Sequence, residues 1–216
     1  LMQKRGYHHQ PLLHAVRKTF NQLVLPLLYA EQPLKRCHAL VGSIGGAVYG
    51  NAGAHGGDMA ANLVLAEILH RKKGRETWSA QQMAFDYRAS ALKRSPGDVV
   101  ILAARLQLSF STQAEVQAKM DEFAARRRRT QPPGASLGSM FKNPPGDYAG
   151  RLIEAAGLKG TRVGGAVISS VHANFFINDK KAAAEDIGKL IKLAQDTVLE
   201  KFGVKLELEV EMVGEW

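Results

Sequence analysis

The stretch HANFFINDKKAAAEDIGKLIKLAQDTVLEKFGVKLELEVE, residues 172–211, decides the fold class. It begins with an apolar run at 172–178, which predicts a buried strand. Residues 181–202 place apolar side chains on one stripe at helical spacing, and Gly203 fits the position just after the last turn of a helix. Residues 204–211 alternate apolar and polar side chains, which predicts a closing strand. This order of strand, helix and strand favours an α+β fold.

Regular patterns continue upstream of this stretch. Residues 64–69 and 99–110 predict strands, and the segment 71–75 between them predicts a turn. Thr112 and Glu115 have the spacing of a capping box, which predicts a helix that runs into an arginine cluster and stops at Gln131-Pro132-Pro133-Gly134. The change from strands to helix predicts a domain boundary near residue 111.

A short helix is predicted at about 148–156, ended by Gly157. The chain of 216 residues is 45% hydrophobic and 23% charged, which is typical of a soluble globular protein. No apolar run approaches the roughly 18 residues that a membrane helix needs. A single cysteine, Cys37, fits a reducing compartment, so we expect a cytoplasmic protein. The seven histidines show no metal-ligand spacing, and we expect no metal site.

The net charge is +9, and its densest cluster is Arg126–Arg129. One interpretation is a solvated helix end whose charge complements the helix dipole. A second is a pocket for a small diphosphate. A third, nucleic-acid binding, is weakened because no aromatic residues interleave with the arginines.

Residues 42–57 form a glycine segment in which seven of the sixteen residues are glycine. Glycine permits positive φ and close approach of a ligand to the backbone, and N–H groups in tight turns can cradle a phosphate. The spacing matches neither a P-loop nor a dinucleotide fingerprint. A flexible linker is the alternative, but linkers favour Ser and charged residues over Ile, Val, Tyr and Ala.

Four further stretches carry polar groups in turn-rich surroundings. They are 86–90 (DYRAS), 138–144 (GSMFKNP), 164–174 (GGAVISSVHAN) and 207–211, which sets three carboxylates on one strand face. Ordinary loops, and the solvated side of a sheet for 207–211, are the more common explanation of such stretches taken singly. The residues alone therefore indicate only a small phosphorylated ligand.

Taken in order, these stretches resemble the UDP-N-acetylenolpyruvoylglucosamine reductase (MurB) family, in its compact second type. The resemblance covers about residues 40–214 and rests on GSIGGAVYGNAGAHGG (42–57), DYRAS (86–90), RRRRTQPPGASLGSMFKNP (126–144), AGRLIEAAGLKG with GGAVISSVHANFFIN (149–178), and LELEVEMVG (206–214).

The resemblance implies an oxidoreductase that reduces UDP-N-acetylglucosamine enolpyruvate to UDP-N-acetylmuramate. NADPH would supply the electrons and FAD would pass hydride to the enolpyruvyl double bond. The reaction would serve peptidoglycan synthesis, and through it cell wall biogenesis, cell shape and cell division, in the cytoplasm. Neither nucleic acid nor a membrane is an expected partner.

The resemblance also implies three catalytic residues. Arg88 would stabilise the negative charge that develops on the substrate. Ser139 would donate a proton to the carbanion, and Glu209 would assist at the enolate oxygen.

Binding residues carried over by the resemblance fall into two groups. Those expected at the cofactor are Gly42, Ser43, Ile44, Gly45, Gly46, Asn51, Ala52 and Gly53. Those expected at the substrate are Tyr87, Arg129, Gln131, Lys142 and Asn143.

The fold implied by the resemblance is the remnant of a two-part FAD-binding α/β domain followed by an α+β substrate-binding domain. Residues 1–40 form an atypical N-terminal segment, 41–110 a partial FAD-binding domain, and 111–216 the substrate-binding domain. The first half of the flavin domain, with its glycine-rich pyrophosphate loop, is not recognisable, so we expect an N-terminally truncated chain. A non-catalytic UDP-sugar-binding remnant without a complete FAD site is the alternative function.

Overall fold

The computed structural model describes residues 43–97 and 99–213. The chain divides into one unit ending at Phe123 and a second beginning at Ala124. Helices and antiparallel sheets occur together, which confirms the predicted α+β class. The division falls within a helix, and the predicted domain boundary near residue 111 stays a prediction.

The first unit is built on a three-stranded antiparallel sheet with strand order β4-β3-β5. Its elements in chain order are α1 (Ile44–Tyr49), β1 (Gly53–Ala54), β2 (Gly57–Asp58), β3 (Leu63–His70), β4 (Gly74–Ser79), α2 (Ala80–Met83), α3 (Ala91–Arg94), β5 (Val99–Leu106) and the start of α4 (Gln113–Thr130). α1 contacts β5. The buried core includes Val48, Leu63, Ala66, Ile68 and Met83.

Most of the predicted elements of this unit are confirmed. The strands expected at 64–69 and 99–110 are β3 and β5, although β5 ends at Leu106. The capping box at the start of α4 is present: Glu115 N–H donates to Thr112 Oγ1 at 3.3 Å, and Thr112 N–H donates to a Glu115 carboxylate oxygen at 3.2 Å.

The glycine segment contains a helix, which the sequence did not predict. Ser43 is the N-cap of α1, and its Oγ accepts a hydrogen bond of 3.0 Å from Gly46 N–H. Each glycine inside a helix costs about 1 kcal/mol relative to alanine. Packing of fully buried Val48 offsets that cost here.

The second unit holds a four-stranded antiparallel sheet with order β6-β9-β8-β7. Its elements are β6 (Ala135–Ser139), α5 (Ala149–Ala155), β7 (Arg162–Val163), β8 (Ala166–Ile168), β9 (Phe175–Asn178) and α6 (Ala184–Phe202). Phe141 and Phe176 meet edge to face in the core, with ring centroids 6.0 Å apart. Leu152, Ile153 and Leu190 from the two helices are buried in the same core.

The turn between β7 and β8 requires glycine. A Cβ on Gly165 would lie 2.5 Å from the Lys180 carbonyl oxygen and 2.6 Å from Ala182 N. Asp186, in the first turn of α6, accepts hydrogen bonds from Gly165 N–H at 3.1 Å and from Ala183 N–H at 3.0 Å. The turn is therefore held directly against the start of α6.

The helices expected in this unit are confirmed. The helix at 148–156 is α5, followed by Gly157 at φ 82°. The helix at 181–202 is α6, which begins three residues later than expected and is capped by Gly203 at φ 67°.

The strand predictions for the second unit need correction. The buried strand expected at 172–178 is confirmed only for 175–178. The closing strand at 204–211 is wrong: this segment forms only an isolated bridge between Leu208 and Phe141. The prediction that residues 207–211 set three carboxylates on one strand face is therefore wrong as well. Alternation predicted the burial of Leu206 but could not supply a partner with which to form a ladder.

Candidate active site

The DYRAS stretch forms a tight turn, called here the Arg88 turn (residues 86–89). Asp86 N–H donates to the Ala89 carbonyl at 3.0 Å, and Ala89 N–H donates back to the Asp86 carbonyl at 3.1 Å. Tyr87 and Arg88 occupy the tip, with Arg88 at φ 54°. The Arg88 guanidinium carbon lies 5.2 Å from the centroid of the Tyr87 ring. The turn thus presents two of the predicted site residues together.

Asn51 joins the glycine segment to this turn. Its side chain is 3% exposed; Nδ2 donates to the Asp86 carbonyl at 2.9 Å and to Asp58 Oδ2 at 3.1 Å, while Oδ1 accepts from Ala60 N–H at 2.9 Å. A buried amide with this many partners is strongly held. The sequence predicted a cofactor contact at Asn51, and the structure shows its side chain engaged within the protein.

Ser90 makes a second connection between the same two segments. It is fully buried, and its Oγ donates to the Tyr49 carbonyl at 2.6 Å while accepting from Lys93 N–H at 3.2 Å. The DYRAS pattern alone did not indicate this role of Ser90. A small hydroxyl residue just before a short helix is the signal that could have indicated it.

Gly53 lies against Arg88. A Cβ at this position would lie 2.9 Å from the Gly57 carbonyl oxygen and 3.1 Å from Arg88 Nη1. Any larger residue would displace the guanidinium or the β1–β2 ribbon. The glycine at 53 therefore permits the Gly57 carbonyl and the Arg88 guanidinium to approach the backbone closely, and the ligand contact expected of this segment stays a prediction.

A cavity of about 150 Å³ opens beside the β1–β2 ribbon. Its lining includes Ala52, Asp58 and Met59 and, from α4, Lys119 and Phe123. Pockets for drug-sized ligands are usually about 300–1,000 Å³. The cavity, which Ala52 helps to line, is smaller than such a pocket.

The remaining predicted cofactor residues lie around the start of α1. Ser43, Ile44 and Gly45 are half-buried and Gly46 is exposed. The Ser43 hydroxyl is used as the helix cap. Gly42 lies outside the described residues.

In the second unit, Ser139 ends β6 and begins what we call the Ser139 segment (residues 139–143). It is half-buried and pairs with Phe175 of β9. The residue that follows, Met140, accepts at its carbonyl a 2.9 Å hydrogen bond from Glu209 N–H. The structure therefore brings Ser139 and Glu209 into neighbouring segments.

A second bond strengthens this pairing. Lys142 N–H donates to the Glu207 carbonyl at 2.8 Å, and Lys142 Nζ forms an ion pair of 3.2 Å with the Glu207 carboxylate. Asn143 accepts at Oδ1 from Ala149 N–H at 3.1 Å, which ties the end of the segment to α5. Two predicted substrate residues, Lys142 and Asn143, thus lie in the same anchored segment as Ser139.

The other predicted substrate residues of this unit lie around the end of α4. Arg129 and Gln131 are exposed, and Gln131 N–H donates to the Arg127 carbonyl at 2.8 Å. Three arginines of the Arg126–Arg129 cluster lie in the last turn of α4, where positive charge interacts favourably with the helix dipole. The dipole interpretation and the diphosphate interpretation are both compatible with this position.

Asn174 ends the polar stretch 164–174, but it was not predicted as a site residue. It is 3% exposed. Its Oδ1 accepts from Phe141 N–H at 2.9 Å, its Nδ2 donates to the Phe141 carbonyl at 2.8 Å, and its backbone carbonyl accepts from Met140 N–H at 2.8 Å. A lone amide directly before three apolar residues was the available signal.

His172 lies close to Asn174. Its Nδ1 accepts from Asn174 N–H at 3.2 Å, and its ring meets that of Phe175 at 4.9 Å between centroids. Burial lowers the pKa of His172, and the nearby Lys159 charge acts in the same direction. The neutral imidazole is therefore favoured, in agreement with a ring nitrogen that accepts a hydrogen bond.

Comparison with known proteins identifies the family. The family model described as UDP-N-acetylenolpyruvoylglucosamine reductase, C-terminal domain, matches residues 130–213. A Bacillus licheniformis UDP-N-acetylenolpyruvoylglucosamine reductase is 43% identical over 176 residues, which cover 81% of this chain and 95% of that protein. The chain belongs to the UDP-N-acetylenolpyruvoylglucosamine reductase family.

Other members of the reductase family agree. The Chloroflexus aggregans reductase is 50% identical over 183 residues, covering 83% of this chain and 62% of that protein. The crystal structure of the Thermus caldophilus reductase (MurB) superposes with a TM-score of 0.73 at 36% identity, covering 89% of this chain and 68% of that one. The chain thus spans about three fifths of the length of the Chloroflexus relative.

Within residues 43–97 and 99–213, no helix has the length and apolar character needed to cross a membrane. The same residues contain no group of three or more His, Cys, Asp or Glu side chains that could hold a metal ion. The part matched by the reductase family model includes Ser139, Asn174 and Glu209.

Proposed function

We propose that the chain reduces UDP-N-acetylglucosamine enolpyruvate to UDP-N-acetylmuramate, with NADPH and FAD, for peptidoglycan precursor synthesis in the cytoplasm. The observation that carries the proposal is the 2.9 Å hydrogen bond from Glu209 N–H to the carbonyl of Met140, the residue next to Ser139. It keeps the proposed proton donor and the proposed enolate partner on adjacent segments. Membership of the reductase family supports the same chemistry.

FAD, when bound, supplies the hydride that NADPH provides. The residues proposed to hold it are Gly42, Ser43, Ile44, Gly45, Gly46, Asn51, Ala52 and Gly53. The cavity beside Ala52 has a volume that fits part of such a group. Asn51 contributes by fixing the glycine segment to the Arg88 turn, because its side-chain amide bonds within the protein.

Arg88 stabilises negative charge on the substrate. Hydride addition to the enolpyruvyl double bond leaves an electron pair that is shared between a carbon and the carboxylate oxygens. A guanidinium held in advance near those oxygens stabilises the transition state more than the ground state. The Arg88 turn, closed by two backbone hydrogen bonds and tied by Asn51 and Ser90, supplies that rigidity.

Ser139 completes the reaction by giving its hydroxyl proton to the carbanion. A serine is a weak acid, so this step needs a strongly basic carbon and little competing water. Ser139 is half-buried at the end of β6, which favours such a role. Glu209, also half-buried, acts at the enolate oxygen. Tyr87, Arg129, Gln131, Lys142 and Asn143 are proposed to contact the UDP-sugar.

The test is a comparison of two half-reactions in the purified chain. Reconstitution with FAD should give a yellow protein that NADPH reduces and the enolpyruvyl UDP-sugar reoxidises. Ser139→Ala should leave flavin reduction unchanged and slow reoxidation by about 10²-fold, as for loss of a general acid. Ser136→Ala, an exposed serine on the same strand, is the matched control and should change neither rate.

Two outcomes would contradict the proposal. Equal slowing of both half-reactions in Ser139→Ala would remove Ser139 from the role of proton donor. A colourless protein that binds the UDP-sugar but cannot be reconstituted with FAD would favour the alternative, a non-catalytic UDP-sugar-binding chain.

A further inference from the structure

The Ser139 segment leaves the regular sheet directly after Ser139. β6 pairs with β9 through Ala135, Ser136 and Ser139, and the register shifts between Ser136 and Ser139. Beyond Ser139 the backbone of residues 140–142 lies against residues 207–209 on one flank, through the bonds to Glu207 and Glu209. Where the β6–β9 ladder ends in this way, the backbone N–H and C=O groups of the residues after Ser139 need other hydrogen-bond partners.

Asn174 supplies that partner on the other flank. Its backbone carbonyl accepts from Met140 N–H, and its side-chain amide both accepts from and donates to Phe141. The amide side chain therefore makes the same pair of hydrogen bonds that a residue on a neighbouring strand would make. Three bonds from one buried residue hold the two residues that follow Ser139.

We infer that Asn174 is a positioning residue that fixes the place of Ser139, and of the Met140 carbonyl to which Glu209 is attached, against β9, and this inference rests on the proposed function. Met140 is bonded to Asn174 through its N–H and to Glu209 through its carbonyl. A shift of the Ser139 segment would therefore move Ser139 and the attachment point of Glu209 together. Misplacement of a reacting group by about 1 Å can cost about 10²-fold in rate.

Two substitutions separate the acceptor of Asn174 from its donor. Asn174→Asp keeps an oxygen for Phe141 N–H but places a carboxylate against the Phe141 carbonyl, which then has no donor. Asn174→Ala removes both side-chain bonds. Asn178→Ala is the matched control, because Asn178 ends β9, the strand that begins directly after Asn174, and its Oδ1 accepts a bond from Ala182 N–H at 2.8 Å.

The kinetic expectation is a split between half-reactions. Asn174→Asp and Asn174→Ala should slow reoxidation of the flavin by the enolpyruvyl substrate by about 10–10²-fold. Reduction of the flavin by NADPH should stay within about twofold. Asn178→Ala should change neither. Proportional loss of both half-reactions would overturn the inference, since a merely structural role lowers the folded fraction and with it every rate.

Amide hydrogen exchange gives a readout that needs neither cofactor nor substrate. Exchange at Phe141 should accelerate at least tenfold in Asn174→Ala and less in Asn174→Asp, and exchange at Glu209 should rise in both. Unchanged exchange at both amides in folded variants would overturn the inference. If Ser139→Ala leaves reoxidation of the flavin unchanged, the proposed function fails. The exchange rates of Phe141 and Glu209 then decide by themselves whether Asn174 holds the Ser139 segment.

Discussion

Asn51 Nδ2 donates a hydrogen bond of 2.9 Å to the carbonyl of Asp86, 35 residues further along the chain. Ser90 Oγ makes the reciprocal connection, to the carbonyl of Tyr49. The glycine segment and the Arg88 turn are therefore held together by two buried side chains. A segment rich in glycine loses much conformational entropy on being fixed, and these hydrogen bonds offset that cost.

Asn51→Ala should lower the free energy of unfolding by about 1–3 kcal/mol, because it leaves buried polar partners unsatisfied. Asn51 also has φ 45°, a conformation that costs alanine about 1–2 kcal/mol more than glycine. Asn51→Gly should therefore be milder than Asn51→Ala. Urea denaturation measures the difference. Asn62→Ala, which removes one bond of 3.2 Å to the Asp58 carbonyl, is the control, and an equal loss there would contradict the prediction.

Gly165→Ala should destabilise the protein by about 1–3 kcal/mol or more, because the new Cβ would overlap the backbone of Lys180 and Ala182. Gly97→Ala is the control. Its Cβ would meet nothing nearer than 3.9 Å, and we expect a change within about 0.5 kcal/mol or a slight stabilisation. Thermal or urea unfolding of both variants provides the comparison. Similar effects at the two positions would show that packing against the start of α6 is not the cause.

His172 should make stability depend on pH. Burial lowers the pKa of folded His172, so the unfolded chain binds this proton more readily than the folded one. The contribution is fully present above the unfolded value of about 6.5 and is lost as pH falls through the folded pKa. Unfolding free energies at about pH 7.5 and about pH 5.5 should differ less in His172→Asn than in the parent protein. An unchanged difference would assign the pH dependence to other groups.

Asp147 should titrate with a pKa of about 2. The hydrogen bonds from the Arg151 guanidinium are the main cause, followed by the bond from Tyr148 N–H at 2.7 Å. The stabilising contribution is present above the unfolded value of about 3.9 and is lost as pH falls through the folded pKa. Arg151→Gln should raise the pKa of Asp147 toward that unfolded value, as measured by carboxyl NMR. Arg162→Gln, whose ion-pair partner is Asp179, should leave the Asp147 titration in place.

Local signals in the sequence predicted the helices of the second unit and the start of α4. Thr112 and Glu115 act through bonds within one turn, so their spacing alone predicted the cap. Gly203 and Gly157 similarly mark helix ends through their own backbone conformation. These interactions need no partner from elsewhere in the chain, which is why the sequence was sufficient.

Features that depend on distant partners were not predicted. The helix α1 forms against β5 despite its glycines, and residues 204–211 meet Phe141 at a single bridge instead of forming a strand. Neither partner can be read from a local pattern. The catalytic assignments to Arg88, Ser139 and Glu209 came from the family resemblance, and they stay predictions.

Asn174 illustrates the same limit at the site itself. In the sequence it is one polar residue before Phe175, and its position predicts nothing about Phe141, 33 residues upstream. Its role follows only from the register shift that ends the β6–β9 ladder. A buried side-chain amide that makes the hydrogen bonds of a neighbouring strand residue can be recognised only once the backbone is known.

The pairing of Lys142 with Glu207 joins residues 65 positions apart. Ribosomes add about 5–20 residues per second, so several seconds separate the synthesis of the two segments. During that interval a nascent chain carries Ser139 without Glu209. Completion of this part of the site therefore follows the synthesis of the residues of the four-stranded sheet and α6.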